Sequence, residues 1–91
     1  MTTREIPVEV IRAISKFCKM DSGSERNLYM NQHKKAYVEM MDYVESAKIP
    51  EGEKEAILKN VATVFPGNYV KQKIEAESMV NTVLHVMEKN K

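Results

Sequence analysis

The chain has 91 residues, 43% of them hydrophobic and 30% charged, and its 14 basic and 13 acidic side chains leave a formal net charge of +1. That length supports one hydrophobic core of modest size, and so a single helical domain over 1–91 with frayed ends at 1–5 and 89–91 is expected. The even charge balance excludes a protein whose main task is to coat nucleic acid or an anionic membrane, since neither sign dominates the long-range field.

Cys18 is the only cysteine. It rules out an intramolecular disulfide and points to a reducing, cytoplasmic setting, because domains this small rely on such cross-links where conditions are oxidising. No apolar run reaches the roughly 18 residues of a membrane span or the length of a signal-peptide core, so no membrane association is expected. The three Gly and three Pro residues stand at element boundaries and mark no linker.

Pro7 has the φ angle of a first helical turn and lacks a donor that would go unpaired there, while it biases Ile6 toward extended backbone, which predicts a first helix over 7–19. Val10, Ile11, Ile14, Phe17 and Cys18 recur at spacings of three and four and form its core face. A second helix is expected over 24–48, opened by a capping box between Ser22 and Glu25 or by Asp21 or Ser24 as cap. Its stripe is Met30, His33, Tyr37, Met40, Met41, Val44 and Ala47, with Lys35, Glu39, Asp42 and Glu45 turned to solvent. Ile49-Pro50 repeats the device of Ile6-Pro7, and Glu51 and Glu53 suit the positive end of the dipole of a third helix over 50–65. Ile57, Leu58, Val61 and Phe65 point inward, and Pro66-Gly67 stops the helix. Asn68 then caps a fourth helix over 68–88. No alternating run of β-branched residues signals a strand. The expected fold is all-α, a compact four-helix bundle of irregular or orthogonal form.

The fourth helix carries more apolar surface than one neighbour requires. At about 100° per residue, Tyr69, Ala76, Val80, Val83, Leu84 and Met87 make one stripe, and Met79 and Val86 widen it to about 160°. A surface helix needs an apolar arc of only about 100°, so the excess belongs to a central helix or to a surface held for another chain. Gln72, Met79 and Val86 recur every seven residues beside the main stripe, as in a second seam against another helix. These three are the candidate protein-binding residues, with a second copy of the chain among the partners considered.

Candidate chemistry is sparse. His33 lies on an apolar stripe with no Cys, Asp or Glu at i+3 or i+4 on that face, which favours a satisfied core histidine over a metal ligand. His85 sits on a polar face, and Cys18 faces the core, away from the electropositive, accessible setting of a reactive thiol. The pairs Asp42/Glu45 and Glu51/Glu55 have helical spacing but lie on polar faces, where neither member is desolvated for acid–base work. Met20, Met30, Met40, Met41, Met79 and Met87 are adaptable gap fillers, and most of them fall in phase with core positions. No enzymatic activity, metal or cofactor is therefore expected.

Arg12, Lys16 and Lys19 form the best basic row, offset by Glu9 alone, and are the candidate contact for an anion or nucleic acid. A helix-turn-helix made by the third and fourth helices, with Asn68, Lys71 and Gln72 toward the bases, is the specific DNA-binding alternative, although Glu75 and Glu77 oppose it. The primary expectation is a small intracellular protein-binding regulator or accessory protein that acts through the apolar face of the fourth helix.

Overall fold

In the computed structural model, which describes residues 4–19 and 23–90, four helices follow in order: α1 (Val8–Phe17), α2 (Gly23–Ser46), α3 (Glu51–Val64) and α4 (Tyr69–Lys89). Among the described residues 82% are helical and none is in a strand, the all-helical bundle that the periodicity predicts. Pro7 and Pro50 stand one position earlier than expected. Their φ of −58° and −59° suits a helix, but ψ of 150° and 147° makes each an N-cap. Each proline carbonyl is the first acceptor of its helix, taking Val10 N at 3.1 Å and Ile11 N at 3.2 Å in one case and Glu53 N at 3.0 Å and Lys54 N at 3.1 Å in the other. The capping roles considered for Asp21 and Ser22 lie outside the described residues.

The core is built by Ile14 of α1 and Cys18 at its C-cap, Ala36, Tyr37, Met40 and Val44 of α2, Ile49 in the α2–α3 connection, Ile57 and Val61 of α3, and Tyr69, Ala76 and Val80 of α4. α4 is the central helix, packed most extensively on α2 and then on α3, while α1 packs on α2. Tyr37 and Tyr69 meet edge to face at 5.3 Å across the α2–α4 seam. The molecule measures 52 × 30 × 18 Å. Its least dimension is about two helix diameters, so no helix is enclosed on all sides.

The core face of α1 is narrower than its sequence stripe. Ile14 and Cys18 are buried, but Ile11 is 36% and Phe17 47% exposed. Both lie about 60° to either side of Ile14 on the helix, and a helix of ten residues resting chiefly on α2 covers only the centre of its apolar arc.

Polar links hold the periphery. Arg4 fastens the N-terminal segment to α2 by donating to Asp42 Oδ1 at 3.0 Å and to both carboxylate oxygens of Glu45. Arg26 of α2 donates to Ser15 Oγ at 2.8 Å on α1. Lys73 of α4 pairs with Glu39 at 3.8 Å and Glu77 at 3.6 Å, and Tyr43 donates to Asn81 Oδ1 at 2.9 Å. Glu39, Asp42 and Glu45 face solvent as expected and also serve these links.

Candidate protein-binding groove between α3 and α4

The wide apolar arc of α4 is divided between its neighbours. Ala76 and Val80 enter the core beside α2, and the flank carrying Met79 and Val86 turns toward α3. There the sequence of α3 leaves space. Ile57 and Val61 reach into the core, but the adjacent row Glu53, Ala56 and Asn60 is short or polar and does not cover its opposite number. The result is a groove of about 350 Å3 lined by Glu53, Ala56, Ile57 and Asn60 on one side and Ser78, Met79, Thr82 and Val83 on the other. It continues into a second hollow of about 320 Å3, where Pro50, Val86 and Met87 join Glu53, Thr82 and Val83. Floor and ends are apolar, and the rims carry Glu53, Asn60, Ser78 and Thr82.

The three residues of the predicted seam fare differently. Met79 is partly buried and packs against the core cluster. Val86 is 51% exposed and lines the hollow at the α4 C-terminal end. Gln72 is only 1% exposed and donates from Nε2 to Phe65 O at 2.7 Å, so it lines neither hollow. The three residues share one phase of α4, but the C-terminal end of α3 closes over Gln72. The buried amide thereby finds a main-chain acceptor, Phe65 O, which also accepts from Asn68 N at 3.1 Å. Periodicity on α4 alone does not single out Thr82, Glu53, Ala56 and Asn60. The signal available for them is the run of small and polar residues at i, i+3 and i+7 on α3.

His33 occupies a structural position. Its Nδ1 accepts from Tyr69 N at 3.1 Å and Val70 N at 3.4 Å, and its ring makes a T-shaped contact with that of Phe17, the centroids 5.1 Å apart. Together with Asn68 Oδ1, which accepts from Lys71 N at 3.3 Å, the imidazole serves the unpaired donors at the start of α4. Cys18 is buried. Among the described residues no group of three or more His, Cys, Asp or Glu side chains is placed to hold a metal ion. Burial pushes the hydroxyls of Tyr37 and Tyr69 above their ordinary range. The Arg4 guanidinium rises as well, chiefly through its hydrogen bond to Glu45.

Arg12 and Lys16 are exposed on α1 as expected, and Lys19 is exposed in the turn just beyond it, since the helix ends at Phe17 and not at residue 19. Lys16 borders a cleft of about 250 Å3 shared with Ala13, Phe17, Pro66 and Gly67. The base-reading set of the helix-turn-helix is not free to read. Asn68 is occupied as a cap, Lys71 Nζ lies 5.7 Å from the Phe65 ring centroid, and Gln72 is inside. Compared with known proteins, the chain matches no family model, no curated protein and no solved structure.

Proposed function

We propose that the protein is a small non-enzymatic binding regulator or accessory protein that receives an amphipathic helix of a partner polypeptide in the α3–α4 groove. The observation that carries this is the uncovered second flank of α4: Met79 and Val83 floor a groove whose far end is Val86 and Met87, both exposed. Two helices running in opposite directions shape the groove, since Glu53 near the start of α3 meets Val86 near the end of α4. From Ser78 to Met87 the trough is about 14 Å long, which suits between two and three turns of a third helix laid along it. An apolar floor between polar rims is the arrangement in which a few anchoring side chains supply most of the binding energy. A second copy of the chain can supply that helix, which makes self-association the first assembly to measure. The nucleic-acid alternative has less support, because Asn68 and Gln72 already serve the α3–α4 turn.

The test is Thr82→Arg with Val86→Lys, two exposed positions that fill and charge the groove without entering the core. The double variant is expected to keep the wild-type circular dichroism spectrum while losing self-association in sedimentation velocity, or losing the partner that the wild-type protein retains at moderate salt. Met79→Lys, in contrast, places charge against the core and should unfold the protein or lower its stability strongly. A folded double variant with unchanged assembly and an unchanged set of partners refutes the groove as the binding surface.

A further inference from the structure

We propose that the basic face of α1, together with the cleft it forms on the α3–α4 turn, is a second binding site whose ligand is an acidic peptide segment carrying one bulky apolar side chain. The cleft is bounded by Ala13 and Phe17 on α1 and by Pro66 and Gly67 in the turn, with Lys16 at its edge. Its walls are held close by packing: a Cβ built on Gly67 would lie 2.5 Å from the Ala13 carbonyl oxygen and 2.9 Å from Phe17 Cβ. The notch is therefore preformed and needs little ordering when it binds. At about 250 Å3 it falls below the roughly 300–1,000 Å3 of small-molecule sites, which suits a single inserted side chain.

Charge identifies what surrounds that side chain. Residues 8–19 and 63–72 contain Arg12, Lys16, Lys19 and Lys71 with Glu9 as their only acidic residue. Arg12, Lys16 and Lys19 form no salt bridge among the described residues, and Lys71 Nζ lies over the Phe65 ring beside the turn, 5.7 Å from its centroid. In a chain with a net charge of +1, this surface is locally cationic beside an apolar notch. Its complement is a segment with carboxylates on both sides of an apolar anchor. Single-stranded nucleic acid fits less well. Its successive bases need several aromatic faces to stack on, and the cleft is lined by one aromatic side chain, Phe17.

The experiment uses the full chain and a fluorescein-labelled peptide of glutamates around one central phenylalanine, with fluorescence anisotropy as the readout. Saturable binding is expected. It should weaken about tenfold or more when the phenylalanine of the probe is replaced by serine, because burial of one large apolar side chain is worth at least that factor. Raising the salt should weaken it further. The protein variant Arg12→Gln, Lys16→Gln, Lys19→Gln should lose a comparable factor, whereas Thr82→Arg with Val86→Lys should bind the probe as wild type does. In the wild-type protein, amide resonances of Ala13, Lys16, Phe17 and Gly67 should shift during the titration, a readout that needs no variant. The proposal is overturned by absence of saturable binding, by equal binding of the phenylalanine and serine probes, by shifts confined to other residues, or by tighter binding of an oligothymidylate of matching length.

Discussion

Gly67→Ala tests whether α1 is seated on the α3–α4 turn as closely as the structure places it. Gly67 has φ of +77°, and the added methyl carbon would lie 2.5 Å from Ala13 O, 2.9 Å from Phe17 Cβ and 3.2 Å from Ala13 C. The left-handed backbone by itself costs an alanine about 1–2 kcal/mol. The clash is with the Ala13 main chain and the Phe17 Cβ, none of which can rotate aside, so α1 must lift from the turn, and overpacking of this kind costs about 1–3 kcal/mol. The two effects together predict a loss of about 2–5 kcal/mol. Gly23 is the internal control, since its φ of +61° carries the same backbone cost while nothing lies within 4 Å of its Cβ position. Gly52→Ala, inside α3 and also open, should leave stability unchanged or raise it by up to about 1 kcal/mol, because alanine is the better helix former. Urea unfolding followed by helical circular dichroism should order the midpoints Gly52→Ala, Gly23→Ala and Gly67→Ala from highest to lowest, with similar m-values. A Gly67→Ala midpoint no lower than that of Gly23→Ala would refute the close seating of α1, and the preformed cleft with it.

His33→Ala should cost more than Asn68→Ala in the same assay: about 1–3 kcal/mol or more for a buried Tyr69 N–H left without its acceptor, against about 1 kcal/mol for an exposed cap. The reverse order would contradict the capping role of the imidazole. Changing Arg12, Lys16 and Lys19 together to Gln should move stability by less than about 0.5 kcal/mol, and a larger loss in thermal unfolding would assign that face a structural role. Burial is the main cause that raises Tyr37 and Tyr69 above 10.0; Arg4 partly opposes it at Tyr37, and the neighbouring Tyr37 adds to it at Tyr69. Because the folded values exceed the unfolded one, their contribution to stability is complete below pH 10.0 and is lost as pH rises through the folded values. Tyrosinate absorbance should therefore show a late-ionising fraction that disappears in Tyr37→Phe with Tyr69→Phe. Persistence of that fraction in the double variant would assign it to other residues.

Helix number, order and boundaries were legible in the sequence because the signals that set them act within about four residues. Pro7, Pro50, Pro66-Gly67 and Asn68 each limit their own backbone or cap their own turn, and spacings of three and four identify Ile14, Val44, Val61 and Val80 as core positions without reference to another helix. The width of the apolar arc of α4 was readable in the same way, and so was its need for two neighbours. What each position meets was decided by tertiary structure. Gln72, Met79 and Val86 share one phase, yet the end of α3 buries the first, the core takes part of the second and solvent meets the third. Ile11 and Phe17 belong to the apolar arc of α1 but lie beyond the width that α2 covers. His33 accepts main-chain donors 36 and 37 residues away, a pairing with no local trace. Periodicity records the direction a side chain takes from its own helix axis, and only the packing of the other helices determines what is waiting there.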